Sequence, residues 1–96
     1  MDSVIKARVP VVELLAGLAE EASELAHAAL KLRRVFDGRN PTPVGEDEAM
    51  ENLYEEIADV QLYVSMLDLN RYDISSIMEV KRKRWEKRLQ NNGVMA

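Results

Sequence analysis

Residues 18–25, Leu18-Ala19-Glu20-Glu21-Ala22-Ser23-Glu24-Leu25, decide the fold, and residues 55–60, Glu55-Glu56-Ile57-Ala58-Asp59-Val60, repeat their layout. Each stretch lies inside a run whose apolar residues recur three and four positions apart, the period of an α-helix. Around the first, Val11, Leu14, Leu15, Leu18, Ala22, Leu25, Ala29 and Leu32 mark one face of a long helix expected over residues 10–36. Around the second, Leu53, Ile57, Val60, Val64 and Leu67 mark the inward face of a helix expected to end near Asn70. Two amphipathic helices in sequence read as an antiparallel hairpin.

The flanks agree with this. Pro10 suits a first helical turn, where its missing N–H costs nothing. Residues 37–45, Asp37-Gly38-Arg39-Asn40-Pro41-Thr42-Pro43-Val44-Gly45, are turn formers at nearly every position and form the one clear break. Glu46, Asp47 and Glu48 then crowd the start of the second helix, where the macrodipole favours negative charge. Asp73, Ser75 or Ser76 can cap a third helix running through Ile77, Val80, Trp85 and Leu89. Residues 1–9 read as a lead-in with room for one helical turn, and the tail from Asn91 as frayed. No repeat, low-complexity tract or second domain interrupts residues 1–96, which make a single all-α domain.

At 96 residues the chain buries only a modest core. One wide apolar stripe per protomer is therefore expected to be completed by homo-oligomerisation, as an antiparallel helical bundle. A net charge of -4 argues against a nucleic-acid partner, since a phosphate backbone calls for a basic face. No cysteine is present, which excludes disulfides, zinc–thiolate sites and thiol nucleophiles. No run is apolar enough for a signal peptide or a membrane span, so a cytoplasmic protein without a membrane partner is expected.

The acids can be placed by their rotation about each helix, at about 100° per residue. With Val11 as zero, Glu21 lies about 80° and Glu24 about 140° to one side, while Glu20 points nearly opposite. With Leu53 as zero, Glu56 lies about 60° and Asp59 about 120° off, again to one side, with Glu55 turned away. Glutamate is a good helix former, and acidic faces are commonly just solvated. A solvated face, however, has no reason to repeat one offset on two helices. Packed stripe to stripe, Glu21, Glu24, Glu56 and Asp59 converge at one edge of the seam. Four carboxylates at such a point resist full ionisation without a counter-charge. Oxygen-only ligands select Mg²⁺ or Mn²⁺ rather than zinc, and Mg²⁺ commonly completes its shell with water and substrate phosphate oxygens.

Glu20-Glu21-x-x-Glu24 followed by Glu56-x-x-Asp59 resembles the EExxE…ExxD signature of the all-α nucleoside triphosphate pyrophosphohydrolases, the MazG-like family. The likeness extends over residues 10–90. It implies hydrolysis of a nucleoside triphosphate between its α and β phosphates, giving the monophosphate and pyrophosphate with Mg²⁺. It also implies that Glu21, Glu24, Glu56 and Asp59 are metal ligands and that Glu20 positions water or an outer ligand. Homodimers or homotetramers are implied too. Phosphoribosyl-ATP pyrophosphohydrolases and dimeric dUTPases carry related acidic motifs, so base and sugar preference stay open. The interval between the two motifs is longer than the family pattern, and the extra length falls in the loop at 38–45.

In the third helix, Lys81, Arg84 and Arg88 fall within about 40° of Ile77, on the side the apolar residues use, while Arg82 and Lys83 point away. Cations on such a flank require an anionic partner, either the acid cage or substrate phosphates. The resemblance favours phosphate, because relatives carry basic residues followed by an aromatic where this chain has Lys81 to Trp85. Tyr63, one turn beyond Asp59, is the candidate to stack on a base; Phe36, Tyr54 and Trp85 read as core aromatics. Met50, Met66 and Met78 read as core filler. Glu24-x-x-His27 has the spacing of half a di-iron site, but His27 lies about 160° from the stripe and reads as a surface histidine. Ser23 and Ser65 have no histidine to activate them. The alternative from another class is a non-catalytic helical module that dimerises and binds a partner.

Overall fold

The computed structural model describes residues 4–38 and 45–92, and those residues form four helices. They are α1 (Val4–Arg8), α2 (Val11–Asp37), α3 (Glu46–Met66) and α4 (Ile74–Asn91). The expected all-α class and three main helices are observed, with the lead-in forming one short helix. The Pro- and Gly-rich break from Arg39 to Val44 and the tail from Gly93 lie outside the described residues.

Each helix ends for a local reason. Pro10 stands at the N-cap of α2 in extended conformation, so its ring leaves the first turn intact. Gly38 closes α2 in the left-handed region at φ 74°, donating its backbone N–H to the Arg34 carbonyl at 2.9 Å. α3 stops short of the expected Asn70, because Asp68 turns left-handed at φ 54°, a conformation aspartate tolerates better than most residues. Asp73 caps α4: its Oδ1 accepts the Ser75 backbone N–H at 3.1 Å, and its Oδ2 accepts the Ser76 hydroxyl at 2.8 Å. Those hydrogen bonds, the Ser76 hydroxyl first, hold the Asp73 carboxyl below its ordinary range.

α2 and α3 are the one pair of described helices that packs along its length. They run antiparallel: Gly17 near the start of α2 meets Tyr63 near the end of α3, and Ala28 lies across from Asn52. α1 folds against the same end, where Ile5, Val9, Leu14, Leu62 and Tyr63 line an apolar cavity of about 250 Å³. Lys6 Nζ reaches Asp68 Oδ1 at 2.7 Å there, a surface ion pair of small energetic weight.

The buried core of the described residues is Leu14, Ala28, Leu32 and Ala49. Its direction corrects the expected stripe. Measured from Val11, Leu14 and Leu32 lie about 60° and Ala28 about 100° toward the acids, so the side of α2 facing α3 is centred on Glu21. Val11, Leu15, Ala22 and Ala29, expected inward, are exposed. The apolar band of α2 is wider than one neighbouring helix covers, and α3 takes its acidic flank. On α3, Leu53, Val60, Val64 and Leu67 are half-buried and Ile57 stands more open.

α4 departs further from expectation. Ile77, Val80, Trp85 and Leu89 are 44, 56, 62 and 44% exposed, and Met78, expected as filler, is 62% exposed. Phe36 and Tyr54 are exposed as well. The cause is that, among the described residues, α4 packs along neither α2 nor α3.

At Gly17 the Tyr63 ring of α3 lies against the α2 backbone. A Cβ at this position would meet the Tyr63 hydroxyl oxygen at 2.7 Å, with ring carbons nearer still. Gly17→Ala is expected to lower stability in urea melts by about 1–3 kcal/mol through overpacking, against a helix-propensity gain of at most about 1 kcal/mol. Adding Tyr63→Leu removes the obstacle, so the double variant is expected to recover most of that loss.

Candidate metal and phosphate site

The rotation of α2 that places Glu21 in the seam also decides the electrostatics. Glu21 from α2 and Glu56 and Asp59 from α3 each offer a carboxylate oxygen, all within 4.8 Å of one another. Glu21 and Glu56 are half-buried. Glu56 Oε2 is shut off from solvent and has no hydrogen-bond partner. A buried carboxylate oxygen with no donor is costly as an anion, so the arrangement calls for a proton or a cation.

Both seam glutamates titrate accordingly. Loss of water contact raises the Glu21 carboxyl, followed by the charges of Asp59 and Glu56, a hydrogen bond shared with Asp59, and Glu20. Glu56 is raised by loss of water contact first, then by Asp59, Glu24 and Glu55. All three causes disfavour a second and third negative charge at one point. A hard divalent ion would reverse each of them, and an all-oxygen donor set suits Mg²⁺ or Mn²⁺.

The other expected site residues are placed differently. Glu24 lies outside the three-oxygen cluster, one helical turn along, in a cleft of about 170 Å³ lined by His27, Ala28, Lys31, Asn52, Glu55 and Glu56. It is near enough for its charge to act on Glu56. Glu20 is exposed on the outer side of α2, as its rotation required. The Tyr63 ring lies on Gly17 in the seam, one turn from Asp59, and is half-buried. Lys81, Arg84 and Arg88 stand on α4, which one chain does not bring against the hairpin. Arg82 alone forms ion pairs on that helix among the described residues, with Glu79 and Glu86 in its own turns.

Two residues of the cleft escaped the sequence reading. Asn52 precedes Glu56 by one turn and Lys31 follows His27 by one turn, so both share the cleft by simple i, i+4 spacing. The signal was present in the numbering.

The raised carboxyls fix the sign of a pH effect. A carboxyl whose folded value exceeds its ordinary 4.5 favours the folded state when protonated. That contribution is fully present below pH 4.5 and is lost as pH rises through the raised folded values. Without metal, Glu21→Gln and Glu56→Gln are therefore expected to raise Tm at neutral pH and to leave it nearly unchanged below 4.5. Thermal melts across pH check this. Mg²⁺ is expected to stabilise the unsubstituted chain by about 2.7 kcal/mol at a hundredfold excess over its Kd, and neither variant to the same extent.

Compared with protein-family models, with curated proteins and with solved structures, the chain matches none.

Proposed function

We propose that this chain is a magnesium-dependent nucleoside triphosphate pyrophosphohydrolase that works as a homodimer or homotetramer and releases a nucleoside monophosphate and pyrophosphate. The observation that carries the reading is the meeting of Glu21, Glu56 and Asp59 within 4.8 Å, with Glu56 Oε2 buried and unpartnered. The EExxE…ExxD pattern of the sequence gives that cluster its chemical identity, because three converging acids alone suit many cations.

Glu21, Glu56 and Asp59 are the residues that would hold the ion, with Glu24 beside them. Magnesium bound there neutralises phosphate charge and lowers the pKa of coordinated water. Mn²⁺ satisfies the same oxygen donors. Glu24, in the neighbouring cleft, is placed to orient a water by accepting its proton, and Asn52 and Lys31 offer donors to phosphate oxygens. Glu20 faces away and acts on the site only through its charge on Glu21. Lys81, Arg84 and Arg88 are the cations suited to the departing pyrophosphate, reaching it through assembly rather than within one chain. Tyr63 is the aromatic proposed to meet the base. No protein nucleophile takes part.

A second reading has its own observation. The uncovered apolar face of α2 and the wholly exposed α4 also fit a non-catalytic helical module that self-associates. The two readings differ in turnover. Pyrophosphate release from a panel of nucleoside triphosphates, dUTP and phosphoribosyl-ATP included, is expected with Mg²⁺ and not with EDTA. Glu56→Ala or Asp59→Ala is expected to lower kcat/KM by about 100-fold or more, the scale of losing one preorganised electrostatic contact. Circular dichroism and sedimentation of these variants should match the parent. Wild-type rates in either variant, or a panel with no substrate, leave the module reading standing.

A further inference from the structure

The α2–α3 seam has two unlike ends, with the acid cluster between them. Along α3 the order is Tyr63, Asp59, Glu56 and Asn52, and along the antiparallel α2 it is Gly17, Glu21, Ala28 and Lys31. At the Tyr63 end lies the cavity lined by Ile5, Val9, Leu14, Leu62 and Tyr63, with no charged side chain in its lining. At the other end lies the cleft of about 170 Å³ in which Lys31, His27 and Asn52 stand beside Glu24, Glu55 and Glu56. Glu56 belongs to the cluster and lines the cleft, so the two are continuous.

The cleft holds donors that the fold does not use. Lys31 is half-buried beside three carboxylates, yet among the described residues its ammonium is in no ion pair. Asn52 is half-buried as well, and among the described residues its side chain makes no hydrogen bond. Side chains on a helix lean toward its N-terminus, which carries Lys31 back along α2 toward Ala28 and Glu24. Glu56 Oε2, shut off from solvent, has no donor either. Unused donors and an unpartnered acceptor therefore line one small space, held apart rather than paired with each other.

The signs of these charges select the guest. A free anion in the cleft would meet Glu24, Glu55 and Glu56 and be repelled. A bare cation there would meet Lys31. An anion that carries a divalent ion answers both: the ion lies against the carboxylates, and the remaining anionic oxygens accept from the ammonium. A phosphate chain is such an anion, because Mg²⁺ takes its oxygens as ligands. The Tyr63 end cannot share this task, since its lining carries no charge. Nor does one chain bring the cations of α4 against the hairpin.

We infer that Lys31, with Asn52, binds the terminal phosphates of a magnesium-chelated polyphosphate, so that the phosphate chain runs from Glu21, Glu56 and Asp59 toward Lys31 and the rest of the nucleotide toward Tyr63. Lys31 thereby discriminates by phosphate number: a monophosphate ends at the cluster and leaves the ammonium unmet. The assignment rests on the reading of the site given above and adds to it a direction and a residue that enforces it.

The test uses the full chain and inorganic pyrophosphate, with no turnover involved. Calorimetric titration is expected to show pyrophosphate binding with Mg²⁺ and none with EDTA. Lys31→Gln is expected to raise that Kd about tenfold or more, the scale of one charge-assisted hydrogen bond, while Lys31→Arg keeps most of the affinity. In the unsubstituted chain, the side-chain Cε–Hε resonance of Lys31 is expected to move as pyrophosphate saturates. That readout decides the matter even if a variant fails to fold. A Lys31 resonance that stays still at saturation overturns the inference, as does a Kd that Lys31→Gln leaves unmoved. Binding undiminished by EDTA, or no binding at all, overturns it too. Loss of affinity in Arg84→Gln but not in Lys31→Gln would seat the phosphates at α4 instead. Pyrophosphate binding that depends on Lys31, in a chain that hydrolyses no nucleoside triphosphate, refutes only the enzyme reading. Hydrolysis in a chain whose Lys31 ignores pyrophosphate refutes only the assignment of Lys31.

Discussion

The constraint on which the rest depends is the burial of carboxylates in a helix–helix seam. α2 and α3 could have met through the middle of α2's apolar band, leaving every acid in water. They meet instead along the flank that carries Glu21, the side of α2 on which Leu14, Ala28 and Leu32 are buried. Gly17 permits this approach, since no side chain there keeps the Tyr63 ring away. The cost falls on Glu56 Oε2, which has neither solvent nor a donor. A chain folded for stability alone would be better served by an apolar residue at that point. An unpartnered carboxylate among raised, mutually repelling acids costs stability that a proton or a cation would restore.

The same choice of flank has a second effect. By facing the acids toward α3, α2 leaves Val11, Leu15, Ala22 and Ala29 exposed, and no other described helix packs along it. Among the described residues the buried core is Leu14, Ala28, Leu32 and Ala49. α4 carries an apolar strip, a cap at Asp73 and an excess of cations, and among the described residues it packs along no other helix. Acid placement and apolar exposure thus share one cause, the side of α2 that faces α3.

This coupling bears on chemistry. Phosphate transfer requires positive charge on the substrate's outer phosphates as well as at the metal. The acid cleft of the hairpin holds one lysine or arginine, Lys31, among its lining residues, while α4 is rich in them. An enzyme assembled from two copies would gather what one copy keeps apart, and its turnover would depend on protein concentration. Among the described residues no helix is long and apolar enough to cross a membrane.

How much was legible beforehand follows from what each feature depends on. Helix existence, the Gly38 stop, the Asp73 cap and the pairing of Glu21 with Glu56 and Asp59 are set by spacing and backbone preference, which act locally and are written in the residue order. The end of α3 was misplaced because a single left-handed Asp68 ends it, and no pattern distinguishes that aspartate from its neighbours. Which side of a broad apolar band meets its neighbour is not local at all. It is decided by fit between helices, here by Gly17 beneath Tyr63, and so the seam's rotation, the separation of Glu24 from the cluster and the bare α4 emerged only in three dimensions. The order of residues determined which helices form and which acids share a face; packing alone decided which of those acids are desolvated, because desolvation belongs to the contact between two surfaces and not to either one.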